Sequence, residues 1–395
     1  MKKILSVLLA TVLTAAAASA QQQPYAAVLQ QIEQNSATLA ALRAEADARR
    51  VAGRTGLTPA APEVEFGYLW GHPTAGGDRK DVSLRQTFDL PTVYRRRGRL
   101  ADVRDRGVES EYRTQRMELL LEAERTCIEL VYQNALAALY ATEADRVRQA
   151  TEAYGRLVEA GEAGQLDYNK AMLHRLQTEH EEQRIRLELG RLASELAAAN
   201  GGQPIALDRA DYEPQPPLPD DFEAWYAAAE AGHPALQYLR TQVEAADREI
   251  SLARAEALPK LSVGYMGEFV PGQRYQGVTA GMTLPLWENK NRVRQAQAEA
   301  RVAEQRMDDA RLRYYRRLRT LHAEARQLAT AVERYDSLLA QHAGDELLRK
   351  AFELGELSLP AYLQELAYSL TVRAARLEAR RDLELVRAEL EAFRL

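Results

Sequence analysis

Chemistry at a site needs particular side chains at particular spacings, and this chain offers few. Its six histidines, His72, His174, His180, His233, His322 and His342, include no pair four residues apart on a helix, and Cys127 is the single cysteine. A metal centre needs such pairs or a cluster of sulfur ligands, so no metal site is expected. Neither a nucleophile motif nor a phosphate-binding glycine loop is present, so neither an enzyme activity nor a cofactor is expected. The residues that stand out are aromatic: Tyr68, Trp70, Phe88, Tyr265, Phe269 and Trp287 lie in or at the ends of short segments that alternate apolar and polar residues. Their chemistry is that of an interface, where rings gather at the boundary between hydrocarbon and water.

Those rings are carried by two hairpins. "PEVEFGYLWG" begins at Pro62 and "PKLSVGYMGEF" at Pro259, with the same proline lead, the same alternation and the same Gly-Tyr pair. Strands are predicted over 63–70, 82–90, 261–270 and 278–286, joined by the turn-rich "GHPTAGGDRK" and "PGQRYQ". The remainder reads as helix: 21–53, 93–159, 166–199, 221–257, 288–354 and a last helix to the C-terminus. The helices 93–159 and 288–354 each hold 67 residues, and a rod of that length extends roughly 100 Å.

The order is therefore helix, hairpin, long helix, helix, written twice. A first structural repeat covers 21–199, a proline-rich linker 200–220 and a second repeat 221–395. Pro62 and Pro259 are 197 residues apart, Phe88 and Leu284 196, and Gly161 and Gly355 194. That small drift marks a duplication, with a period too long for a solenoid unit. The fold class is mainly α with a small β part. Placing 166–199 and 221–257 end to end beside a rod would put the linker halfway along it.

Residues 1–20 carry Lys2 and Lys3, an apolar stretch and "ASA" at 18–20, the pattern of a signal peptide cleaved after Ala20. Cys127 lies far from the mature N-terminus, so no lipid anchor is expected. Without Lys2 and Lys3, 50 basic residues face 57 acidic ones, a balance that argues against nucleic acid as a partner. The basic residues are nearly all Arg and alternate with Glu along helical text, as on a solvated helix face with i,i+4 pairs.

Strands of eight to ten residues match the roughly 9 to 11 that a tilted strand needs to cross a bilayer. Four cannot close a membrane barrel, because open edges would leave unpaired amides in lipid, so spanning strands imply an oligomer. A small sheet packed on helices in solution stays open on periodicity alone. So does a secreted coiled-coil binding or scaffolding protein of the periplasm, for which the rods would suffice.

The duplicated order, the Pro-led strands "PEVEFGY" and "PKLSVGY", the "LPLWENKNR" junction and the "GEAGQLDY" and "GELSLPAY" turns resemble the TolC family of outer-membrane efflux channels over essentially the whole mature chain. The resemblance implies a homotrimeric α-helical barrel extending into the periplasm, topped by a 12-stranded transmembrane β-barrel in outer-membrane lipid. It implies as partners a periplasmic adaptor (membrane fusion protein) and an inner-membrane RND-type pump. "QTFDLPTVYRRRGRL" is similar to members that accompany heavy-metal cation pumps. By the same resemblance the adaptor-docking tips are Gly161, Glu162, Ala163 and Gly164 in the first repeat and Gly355, Glu356, Leu357 and Ser358 in the second, with Leu357 as the apolar contact. Asp167 and Glu353, beside those turns, are candidates for a periplasmic gate, where carboxylates from three protomers would attract cations and repel one another. Ala163-Gly164 stands where the second tip has Leu357-Ser358, a departure that sets the first tip apart.

Overall fold

The computed structural model describes residues 25–72, 77–285, 287, 289–341 and 344–395. The signal sequence, Gly76, Glu288 and His342 lie outside them. The first helical stretch, predicted as continuous over 21–53, is two helices, α1 (Tyr25–Asn35) and α2 (Ala37–Gly53). Ser36 breaks them with an extended backbone, and its Oγ accepts from the Leu39 amide at 3.4 Å as the N-cap of α2. The stretch 221–257 is divided at the equivalent point into α5 (Phe222–Gly232) and α6 (Pro234–Glu256). Here Pro234 forces the preceding His233 out of the helical region, to φ −68°, ψ 116°.

The long helix α3 (Pro91–Glu159) has 69 residues and starts with proline at its first position, where the missing N–H costs nothing. It is followed by α4 (Gln165–Ala199). The second rod differs from its prediction. In place of one helix over 288–354 there are α7 (Arg292–Gln341) and α8 (Asp345–Glu353), with Gly344 non-helical between them. Asp345 and Glu346 at the start of α8 and Lys350 near its end complement the helix dipole and support the restart. Helix α9 (Leu359–Glu391) and a short 3-10 turn (Ala392–Arg394) complete the chain.

Packing arranges these helices as a wall. Toward the hairpins the neighbours run α2, α3, α6, α7, and toward the far end they run α4, α3, α9, α7. The linker, expected to be a plain connector, is instead a packed strap. Asn200 is fully buried, accepts from Asn35 at 3.0 Å and donates to the Gln203 carbonyl. Further along, Asn134 of α3 donates to the carbonyls of Leu207 and Arg209, and the Tyr212 hydroxyl donates to the Ile128 carbonyl. The strap therefore crosses α3 near its middle. It covers a core in which Val28, Ile32, Cys127, Val131 and Leu196 come together from α1, α3 and α4.

The four strands form one antiparallel meander, β1 (Glu63–Leu69), β2 (Arg79–Phe88), β3 (Lys260–Val270) and β4 (Gln273–Thr283). The β2–β3 pairing joins the two repeats, from Lys80↔Phe269 to Phe88↔Leu261. Two strand positions correct the sequence prediction. β2 starts at Arg79, not 82, because the charged residues Arg79 and Asp81 pair with each other and Arg79 also reaches Glu268 across the sheet. β4 runs over 273–283, not 278–286, because the turn is only Pro271-Gly272 and the ladder begins at Val270↔Gln273.

Candidate functional site

Direct cross-strand partners point to the same side of a sheet, so the register sorts the side chains into two faces. Val64↔Leu84↔Tyr265↔Val278 is one row, and Gln86↔Val263↔Ala280 and Phe88↔Leu261↔Met282 are others, so one face is apolar across all four strands. The opposite face carries Glu65↔Ser83↔Met266↔Gly277 and Arg85↔Gly264↔Thr279, which apart from Met266 are polar or small. Among the described residues no helix covers the apolar face: Val64 is 73% exposed, Phe66 67% and Val278 80%. Two amides lie on that side: Gln86 is satisfied by the Ala60 and Thr87 carbonyls, and Gln276 accepts from the Tyr265 hydroxyl. Among the described residues β1 and β4 have no outer partner.

The aromatic residues occupy distinct heights on this face. Tyr68 and Trp70 meet edge to face at 5.5 Å at the loop end, with the Lys80 ammonium 5.7 Å from the Tyr68 ring and Phe269 opposite Lys80. Phe88 lies at the helix end, and Trp287 stands 80% exposed beyond β4. Tyr265 departs from the expected position at a rim. It sits midway along β3, and its hydroxyl donates to Gln276 at 3.0 Å.

At the far end of the wall both helix-to-helix turns close in the same way. Gly161 and Gly355 take φ 78° and 75°. Around the first, Gly161 N–H reaches the Val158 carbonyl and Glu162 N–H the Leu157 carbonyl; around the second, Gly355 N–H reaches Phe352 and Glu356 N–H reaches Ala351. These are paired Schellman closures, which a side chain at the left-handed position would strain. The two then diverge. Ser358 accepts from the Ala361 amide as N-cap of α9, whereas Ala163 and Gly164 bring no capping side chain to α4. Leu357, expected as the apolar contact, is half-buried and lines an open groove of about 1280 Å³ with Leu347 and Leu348. Leu354, 75% exposed, and Leu166 of α4 present the apolar surface there.

Asp167 and Glu353 are both engaged locally, with Lys170 at 3.5 Å and Arg349 at 2.6 Å. A charged cluster that sequence reasoning missed lies about ten residues deeper. Asp345 of α8 takes Arg146 of α3 at 2.9 Å and Arg373 of α9. Burial pushes the Asp345 carboxyl up, but the two guanidinium groups outweigh it and hold the acid below its usual range. Beside them Glu143 is buried, with one oxygen lacking a partner, and burial raises its pKa. Only the packing of α3 against α8 and α9 could have revealed this cluster, since Glu143 and Arg146 lie about 200 residues before Asp345 in sequence. Among the described residues no three His, Cys, Asp or Glu side chains are grouped to hold a metal ion. No helix among the described residues is long and apolar enough to cross a membrane.

No family model and no curated protein matches the sequence. Solved structures do match the fold. The channel CusC aligns with 13% identity over 93% of this chain and 91% of its own, at a TM-score of 0.77. The outer-membrane channel OprN aligns with 15% identity over 93% and 89%, at 0.75. The CmeC outer-membrane channel of Campylobacter jejuni aligns with 14% identity over 93% and 85%, at 0.74. The likeness is one of fold, and it spans both repeats.

Proposed function

We propose that this protein is the outer-membrane channel of a tripartite efflux system, conducting substrate passively to the exterior. The observation that carries the reading is a sheet with one apolar face that nothing among the described residues covers, bounded there by two open edges. Lipid is the environment in which such a face is stable, and lipid in turn requires that the edges be paired. Three copies of a four-stranded sheet supply a twelve-stranded barrel, and the helical walls beneath them continue the tube into the periplasm. The fold shared with outer-membrane channels supports this arrangement. A secreted scaffold would have no use for the apolar face.

In this reading a periplasmic adaptor docks on the Gly161 and Gly355 turns, and an inner-membrane pump of the RND type supplies energy and selectivity. The channel itself then needs no resident metal site even if heavy-metal cations are the cargo. Asp167 and Glu353 stand near the narrow end, and three copies of each would attract cations there. Native mass spectrometry in mild detergent tests the assembly: a trimer supports the channel, whereas a stable monomer that stays soluble without detergent ends it.

A further inference from the structure

The sheet joins the helical wall through four short segments, and these reverse the charge of the molecule. Residues 51–62, 85–100, 254–260 and 287–294 hold eleven Arg and Lys against three carboxylates, in a chain of net charge −5. Two of the three, Asp89 and Glu256, are bound in one network: Arg97 of α3 contacts Asp89 at 2.7 Å and Glu256 at 2.8 Å, and Arg292 of α7 contacts Glu256 at 3.3 Å. Each of the three helices gives one residue to this network. Two residues away along the same helices stand Arg95 and Arg99 on α3, Arg254 on α6 and Arg294 on α7, all exposed. None of these four forms an ion pair or a side-chain hydrogen bond among the described residues.

Helical periodicity gives the four a common direction. At about 100° per residue, a step of two residues turns a side chain by roughly 160–200° around its helix, counted either way. The unpaired guanidinium groups therefore lie on the side of the wall opposite the Asp89–Glu256 network. Asp89 continues the alternation of Arg85 and Thr87, the polar face of β2. The four arginines thus lie on the side of the apolar face, just beyond Phe88 and next to exposed Trp287 and Lys290. In α4, by contrast, Arg184, Arg186 and Arg191 each have a glutamate one turn away.

We propose that Arg95, Arg99, Arg254 and Arg294, with Lys290, form a collar that binds the phosphates of anionic phospholipid in the leaflet next to the helical wall. This rests on the membrane-spanning reading of the sheet. The long side chains lay their stems along the edge of the apolar band and hold their charges at headgroup level. Guanidinium groups suit phosphate oxygens through paired N–H donors. The collar fixes the depth of the barrel from the helix side, as the Tyr68–Trp70 pair does from the loop side.

The test uses the full chain, a variant with Arg95→Gln, Arg99→Gln, Arg254→Gln and Arg294→Gln, a charge-keeping variant with Lys at the same positions, and a control with Arg184→Gln, Arg186→Gln and Arg191→Gln. Insertion is compared in vesicles of phosphatidylcholine alone and of phosphatidylcholine doped with phosphatidylglycerol, and retained lipid is counted by native mass spectrometry. Near an anionic surface each cation contributes about a fivefold preference. The Gln variant is expected to lose at least about tenfold of the wild-type preference for phosphatidylglycerol. The Lys variant and the control should keep most of it, added salt should weaken it, and inorganic phosphate at matched ionic strength should not displace the lipid. Wild-type insertion with equal retention of both lipids overturns the collar and leaves the channel standing. Unchanged preference in the Gln variant, or displacement by free phosphate, overturns it as well. Failure of the wild type to enter either vesicle removes the channel reading and the collar with it.

Discussion

Leu354 and Leu357 lie three residues apart around one turn and meet different surroundings. Leu354 faces solvent at the extreme end of the wall, while Leu357 folds back into the groove beside α8. Apolar docking anchors commonly cost about 2 kcal/mol or more when removed. Leu354→Asp is therefore expected to leave trimer yield near normal and to abolish adaptor-dependent export in a channel-deleted strain. Leu357→Asp places a carboxylate among Leu347 and Leu348 and should lower thermal stability as well. Full export by the Leu354 variant would show that this turn is not the docking surface. A second residue with a distinct signature is Glu124, which faces Glu384 and Glu391. Burial, reinforced by those two charges, raises its pKa from 4.5 to about 7. The folded chain then holds this proton more tightly than the unfolded one. Its stabilising contribution is complete below pH 4.5 and is lost as pH rises toward about 7. Glu124→Gln should thus match wild type in acid and exceed it at pH 8, by up to about 3 kcal/mol. Denaturant unfolding in detergent at both pH values measures the difference, and equal gaps at the two would remove Glu124 as the cause.

At the level of elements, what was legible in the sequence was whatever repeats or alternates. The hairpins followed from period-two alternation, and the turns at Gly161 and Gly355 from glycine after a long helical run. The breaks at Ser36 and His233 were not read, although they lie 197 residues apart like Pro62 and Pro259. A lone serine or a His-Pro step inside good helix-forming text costs too little locally to declare itself. The interruption before Asp345 was hidden for the same reason, and the Asp345 cluster because its partners come from three helices. Uniform Arg–Glu composition also concealed the collar, since a side chain's lack of a partner is a tertiary fact. The two faces of the sheet make a sharp test. Leu84→Arg would put a guanidinium on the apolar face, where mid-bilayer placement costs roughly 2–4 kcal/mol, whereas its neighbour Ser83 lies on the polar face. Membrane fractionation should show Leu84→Arg depleted and Ser83→Arg retained. Equal retention of both would mean that the apolar face does not meet lipid.

For the whole molecule, the decisive property is that its two lateral edges differ. One is made by β1 with α2 and α4, the other by β4 with α7. Contact between unlike edges is heterologous, so it either closes into a ring or continues into an open filament. Closure is what the sheet requires, because a single unpaired edge in hydrocarbon leaves several amides without partners. Cysteines on the lipid-facing side of the two edge strands can read the outcome. Phe66→Cys combined in turn with Val278→Cys, Ala280→Cys and Met282→Cys samples neighbouring registers, and Cys127→Ser removes the buried native thiol. A disulfide forms only where the two Cα atoms come within about 4.4–6.8 Å, so one pairing should be favoured over the others. Oxidation in the membrane is expected to give dimers and trimers in denaturing gels, with the trimer as the largest species. A ladder continuing past three chains would mean an open assembly, and the absence of bands in every register would mean that β1 and β4 are not the strands that meet.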